Sequence, residues 1–121
     1  MQLSVNTVDH ATLARFTTQY LDAGNVKDFK AEAAPLLKPG TKLLLDLSSL
    51  KFVDTSGLGA LLSCLRQLNA VQGDLMLFGM GKPVRALFEL VRMHRVFDIF
   101  NTEEEALQFC APTSTGSPGG Q

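Results

Sequence analysis

Residues 43–68 read LLLDLSSLKFVDTSGLGALLSCLRQL, and the hydrophobic period changes within this one stretch. Leu43 to Leu47 is a short, nearly continuous apolar run, the pattern of a strand covered on both faces. Phe52 and Val53 then lead into Asp54-Thr55-Ser56-Gly57. From there Leu58, Leu61, Leu62, Leu65 and Leu68 fall at i, i+3, i+4, i+7 and i+10, one stripe of a helix. A buried strand followed by an amphipathic helix is half of a βαβ unit.

The flanking sequence repeats the alternation. Leu3 to Val8 and Ala11 to Thr18 predict a hairpin with Asp9-His10 as its turn. Asn25 is a candidate N-cap for a helix whose apolar positions are Val26, Phe29, Ala33, Leu36 and Leu37, stopped by Pro39-Gly40. After the Leu58–Leu68 helix, Gly73 marks a stop and Leu75–Phe78 a second buried strand. Pro83 opens a third helix with an apolar face of Val84, Leu87, Phe88 and Val91. Val96–Phe100 is a further strand. Thr102 and Glu105 form a capping box for a last helix through Cys110.

The fold class is therefore α/β: a mixed, mostly parallel sheet, an N-terminal β-hairpin and about four α-helices. Residues 1–110 form the domain. Residues 111–121, APTSTGSPGGQ, have no aliphatic or aromatic residue beyond Ala111 and are expected to be a disordered tail. In such sheets function collects at the carboxyl ends of the strands. Three loops belong there: Leu21–Asn25, Asp54–Gly57 and Gly79–Pro83.

The chain has 121 residues, with 11 Lys and Arg against 12 Asp and Glu, a net charge of −1. That balance argues against a nucleic-acid surface. No apolar run approaches the ~20 residues of a membrane helix, so no membrane insertion is expected. The N-terminus lacks the pattern of a signal peptide, so a cytoplasmic location is expected. Cys64 and Cys110 are far apart and outside any CxxC pair. They read as packed, reduced thiols, with no metal site and no cofactor implied.

Enzyme readings fail on spacing. Ser56 as a nucleophile needs a base. His10 lies in the hairpin turn and His94 precedes the last strand, both at the opposite end of the sheet from Ser56. The GxSxG elbow fails because Asp54 stands two before Ser56. Lys82 is conceivable as a base, but nothing singles it out. Asp54-Thr55-Ser56-Gly57 is similar to the Asp-Thr-Gly of aspartic proteases, but a serine is inserted and the helices contradict an all-β body. Gly79-Met80-Gly81-Lys82 misses the P-loop pattern at Met76 and at Pro83. Glu103–Glu105 is a favourable charge on a helix start. No catalytic residue is assigned.

On its own terms the Asp54–Gly57 loop offers good helix-capping residues. Thr55 is expected to turn toward the loop and help cap the helix. Two features exceed a cap. Two hydroxyls sit at a strand-to-helix junction on the functional end. Gly57 and Gly59 then stand inside a helix, where each costs roughly 1 kcal/mol relative to Ala. Close approach of another molecule to the backbone explains them most simply, and a partner protein docking over the helix start supplies it.

With Leu44–Leu47, Leu50–Leu62, Gly73–Leu75, Pro83–Leu87, Arg95–Ile99 and Glu104–Leu107, and back through Leu21-Asp22 and Asn25, the chain resembles the STAS domain of bacterial anti-sigma factor antagonists. The resemblance covers residues 1–110 in order. It implies a binding module, not an enzyme. It implies that Ser56 is phosphorylated by an anti-sigma factor/serine kinase of the GHKL type and dephosphorylated by a serine phosphatase. The unphosphorylated form then binds the kinase and releases its sigma factor. The implied partner surface is Asp22, Asn25, Asp54, Thr55, Ser56, Gly57, Leu58 and Gly59.

Two departures stand out. Thr17–Leu21 lacks a glycine that family members often carry there, and Val91-Arg92-Met93 replaces Thr-Gly-Leu. The resemblance also allows other outputs. These are a partner switch with a non-sigma target, or the STAS subunit of a lipid-transport ABC ATPase. A stressosome scaffold usually carries an extra N-terminal domain, for which 121 residues leave no room.

Overall fold

A strand over Lys42–Asp46 stands at the centre of a five-stranded sheet. The computed structural model describes residues 2–8 and 10–110. In chain order the elements are β1 (Leu3–Val8), β2 (Ala11–Phe16), β3 (Tyr20–Leu21), α1 (Val26–Ala33), β4 (Lys42–Asp46) and β5 (Phe52–Val53). They continue with α2 (Thr55–Ala70), β6 (Asp74–Phe78), α3 (Lys82–Leu90), β7 (Asp98–Phe100) and α4 (Glu103–Cys110). The sheet order is β1-β2-β4-β6-β7. β1 is antiparallel to β2, and every other pairing in this sheet is parallel. The predicted hairpin, parallel sheet and four helices are all present.

Strand alternation sends side chains to two cores. Leu43, Leu45, Leu75 and Leu77 face Phe29 of α1, Leu61, Leu65 and Leu68 of α2, and Phe88 of α3. Leu13, Leu44, Met76 and Phe78 face Ala106 and Cys110 of α4. The apolar run of β4 is continuous because helices cover both sides of it. The α2 stripe behaves as its period requires: Leu58, Leu61, Leu65 and Leu68 are buried and Leu62 is half-buried. Each fully buried leucine contributes about 1.5–3 kcal/mol. Cys64 lies on the same side of α2, and burial pushes its thiol pKa up to about 11, against a smaller opposing effect of Lys30.

Several boundaries differ from the sequence reading. α1 ends at Ala33, and residues 34–36 tighten into a 3-10 turn around Pro35, which has no N–H to continue the helix. β7 begins at Asp98, because residues 93–95 form a second 3-10 turn. Phe52-Val53, read only as a lead-in, is strand β5 and pairs in parallel with β3. The capping box of α4 forms, with Thr102 Oγ1 accepting from Glu105 N at 3.2 Å. Its return bond goes one residue further, from Asn101 N to Glu105 Oε1 at 2.9 Å. The tail 111–121 lies outside the described residues, as does Asp9 of the hairpin turn.

Candidate functional site

The two-stranded pair β3–β5 sets Tyr20 beside Phe52 and Leu21 beside Val53. It therefore brings the loops that follow, Asp22–Asn25 and Asp54–Gly57, to the same place. Leu21 O accepts from Asp54 N at 3.2 Å. Asp54 is the N-cap of α2, in extended conformation, and its Oδ1 accepts from Gly57 N at 2.9 Å. Its Oδ2 accepts from Ala23 N at 3.1 Å, across to the other loop. One carboxylate thus closes the helix start and ties the two loops together.

The Asp22 loop is held from within. Asp22 Oδ1 accepts from Gly24 N at 2.8 Å. Asn25 Oδ1 accepts from Asp22 N at 2.9 Å, while Asn25 Nδ2 donates to Tyr20 O at 2.9 Å and to Gln2 Oε1 at 3.0 Å. Asn25 was expected to cap α1 with its side chain, but it makes no such bond. Its amide is spent on the loop and on β3, so its place in the sequence resembles a cap while its work is to fix the loop.

Other assignments are corrected in the same way. The cap of α2 is Asp54; Thr55 makes no cap bond and is exposed. A Cβ on Gly57 would stand 2.5 Å from Leu21 O, so the molecule that approaches this glycine is the chain itself. Gly59 differs: nothing lies within 4 Å of a Cβ placed there, and it is exposed. Of the residues expected on the partner surface, Asn25 and Gly57 are buried, and Leu58 is largely buried while lining an open groove. Asp22 and Asp54 are half-buried, and Thr55, Ser56 and Gly59 are exposed. Of the three loops expected together, two are joined. The third lies at the carboxyl end of β6, with Gly79 against Asp46 and Ser48 at the end of β4.

Ser56 is the second residue of α2. Among the described residues, no hydrogen bond reaches its hydroxyl. It stands at the positive end of a 16-residue helix, where an added anion is tolerated. The Asp54 carboxylate caps this helix start, and the joined loop carries that of Asp22.

Sequence reasoning missed an apolar groove beside this serine. Thr55, Leu58, Gly59, Leu62, Val91 and Met93 line a depression of about 240 Å³. Gly59 leaves its floor open. Leu90 and Val91, at the end of α3, are exposed nearby in sequence, Leu90 at 79%. Val91, expected on the buried face of α3, is exposed and lines the groove instead. Because Met93 shares the groove with Thr55, the segment after α3 approaches the site more closely than strand polarity implies. His94 is nevertheless exposed and makes no hydrogen bond to Ser56.

Among the described residues, no group of three or more His, Cys, Asp or Glu is placed to hold a metal. No described helix is long and apolar enough to cross a membrane.

Comparison with known proteins agrees with this geometry. A Bordetella bronchiseptica protein, BtrV, named as a candidate anti-sigma factor antagonist, is 29% identical over 107 residues, 88% of this chain and 91% of that protein. The anti-sigma-B factor antagonist of Listeria monocytogenes is 32% identical over 69 residues, 57% of this chain and 60% of that protein. The solved structure of unphosphorylated SpoIIAA, an anti-sigma factor antagonist, superposes with a TM-score of 0.65 at 23% identity, covering 88% of this chain and 96% of that one. Its phosphorylated form, from Bacillus, gives the same TM-score and identity over 90% and 99%. The family description "STAS domain" matches residues 2–106, and with the sheet, helices and site loop in place the chain belongs to the STAS-domain family.

Proposed function

We propose that this chain is a phosphorylation-switched binding protein of the anti-sigma factor antagonist kind. Unphosphorylated, it binds an anti-sigma factor that is also a GHKL-type serine kinase, and frees that kinase's target. Phosphorylation of Ser56 ends the binding, and a serine phosphatase restores it. The chain itself catalyses no reaction.

The observation that carries this reading is the setting of Ser56. It is exposed, its hydroxyl makes no hydrogen bond among the described residues, and its neighbours in the chain are Asp54, which caps the helix and ties in the Asp22 loop, and Thr55, which lines the apolar groove. Phosphate adds about −1.5 to −2 charge at pH 7. The helix start accommodates that charge, so the fold persists. A partner surface fitted to a neutral hydroxyl beside Asp22 and Asp54 rejects it. Supporting this, SpoIIAA is known in both phosphorylated and unphosphorylated forms. Gly59 and the groove give the partner an apolar seat next to the switch.

The test is to incubate the protein with its cognate kinase and ATP and to map the modified residue by mass spectrometry. Phosphate on Ser56, absent from Ser56→Ala, is the expected result. Phosphate on Thr55, or none, refutes the proposal.

A further inference from the structure

The five-stranded sheet has two edges, and they are unlike. β7 offers three residues, whereas β1 offers six, Leu3–Val8, with no charged residue and no proline. Natural edge strands are usually blunted by such residues, because a bare edge pairs with another chain. Four of the six β1 residues are exposed, and Val5 is 45% exposed among the described residues.

The hydrogen bonds fix which groups point outward. Thr17 N donates to Gln2 O at 2.9 Å. With Leu3 opposite Phe16, the ladder to β2 therefore falls on the even-numbered residues of β1. The N–H and C=O groups of Leu3, Val5 and Thr7 face away from β2. At the start of the strand Glu32 of α1 accepts from both Gln2 N, at 2.9 and 2.8 Å, and Leu3 N, at 2.9 Å. Glu32 thus occupies the first outward donor and leaves Val5 and Thr7.

We infer that β1 pairs with β1 of a second copy of this chain, antiparallel, about a two-fold axis through Asn6. In this register Val5 of each copy lies opposite Thr7 of the other, and their outward groups exchange four hydrogen bonds. The two sheets become one of ten strands. Sliding the pair to set Val5 against Val5 is disfavoured, because it aims Thr7 O at the Leu3 N–H that Glu32 already holds. No like charges meet along the strand. The pairing leaves the Ser56 loop of each copy outside the β1 contact, so the inference stands independently of the proposed switch.

Asn6 then meets its own copy as a non-hydrogen-bonded pair, with Cα atoms about 4.5 Å apart, within disulfide range. Asn6→Cys is expected to give a disulfide-linked dimer on mild oxidation, and Ser4→Cys, displaced from the axis, is not. Sedimentation of the wild-type protein up to about 1 mM should show a monomer–dimer equilibrium. Val5→Pro removes only an outward N–H and should weaken it roughly tenfold or more. Val5→Lys, which keeps every backbone bond, should do the same by charge repulsion. Four results each overturn the inference. One is a monomer throughout the range. A second is equal cross-linking of the two cysteine variants. A third is a dimer indifferent to both Val5 substitutions. The last is Val5 and Thr7 amides protected from hydrogen exchange in the monomer, which means another segment covers the edge.

Discussion

The carbonyl oxygen of Leu21 stands 2.5 Å from the point a Cβ would occupy on Gly57, while accepting the N–H of Asp54. The Asp22 loop and the start of α2 are therefore pressed together at a glycine, and Ser56, one residue earlier, is left facing outward.

Two helix glycines two residues apart should respond oppositely to alanine. Gly57→Ala must push against backbone and should cost about 1–3 kcal/mol. Gly59→Ala meets open space and should stabilise by up to about 1 kcal/mol through helix propensity. Urea denaturation of both variants checks this. Equal effects would show that the tight contact at Gly57 is not a constraint. Gly59→Ala should also weaken partner binding, since its methyl enters the groove.

Arg92 adopts φ +61, the left-handed conformation that ends α3. This is the position where the family resemblance leads one to expect glycine. A side chain there is strained by roughly 1 kcal/mol. Arg92→Gly should raise the unfolding free energy by about that amount, less the added freedom of the unfolded chain. A lower midpoint in thermal unfolding would contradict it.

Glu32 ties α1 to β1. Burial works against its charge, but the N–H groups of Leu3 and Gln2 outweigh burial and hold its pKa below the ordinary 4.5. A carboxylate with a depressed folded pKa contributes stability above its unfolded pKa and loses it as pH falls through the folded one. Glu32→Gln should therefore be less stable by about 1 kcal/mol at pH 7, after allowance for solvent screening. The gap should close as pH drops below 4.5. Denaturation midpoints at pH 7 and in that acid range test it; a gap that persists unchanged would contradict the assignment.

The main sheet and its helices were legible because burial imposes period. β4 and β6 are covered on both faces and read as apolar runs, and α2 carries a long leucine stripe. The pair β3–β5 was not legible. Each strand is two residues long, and Tyr20 and Phe52 are both exposed, so neither shows alternation. The same limit applied to the site. Asp54, Asn25 and Gly57 were found by residue type, yet their roles depend on which loop lies opposite, and β3–β5 decides that. Gly57 looked like an opening for a partner because its neighbour, Leu21, is 36 residues away in sequence. The groove went unseen because Thr55 and Met93 meet only in three dimensions.

In the proposed function, charge at Ser56 sets partner affinity without disturbing the fold. The most direct measurement is titration of the cognate kinase with Ser56→Ala and Ser56→Asp, by calorimetry, after matching circular dichroism has shown both to be folded. Ser56→Ala is expected to bind as the unphosphorylated wild type does. Ser56→Asp is expected to bind at least about tenfold more weakly, a loss of about 1.4 kcal/mol or more. Equal affinities for the two folded variants would contradict it.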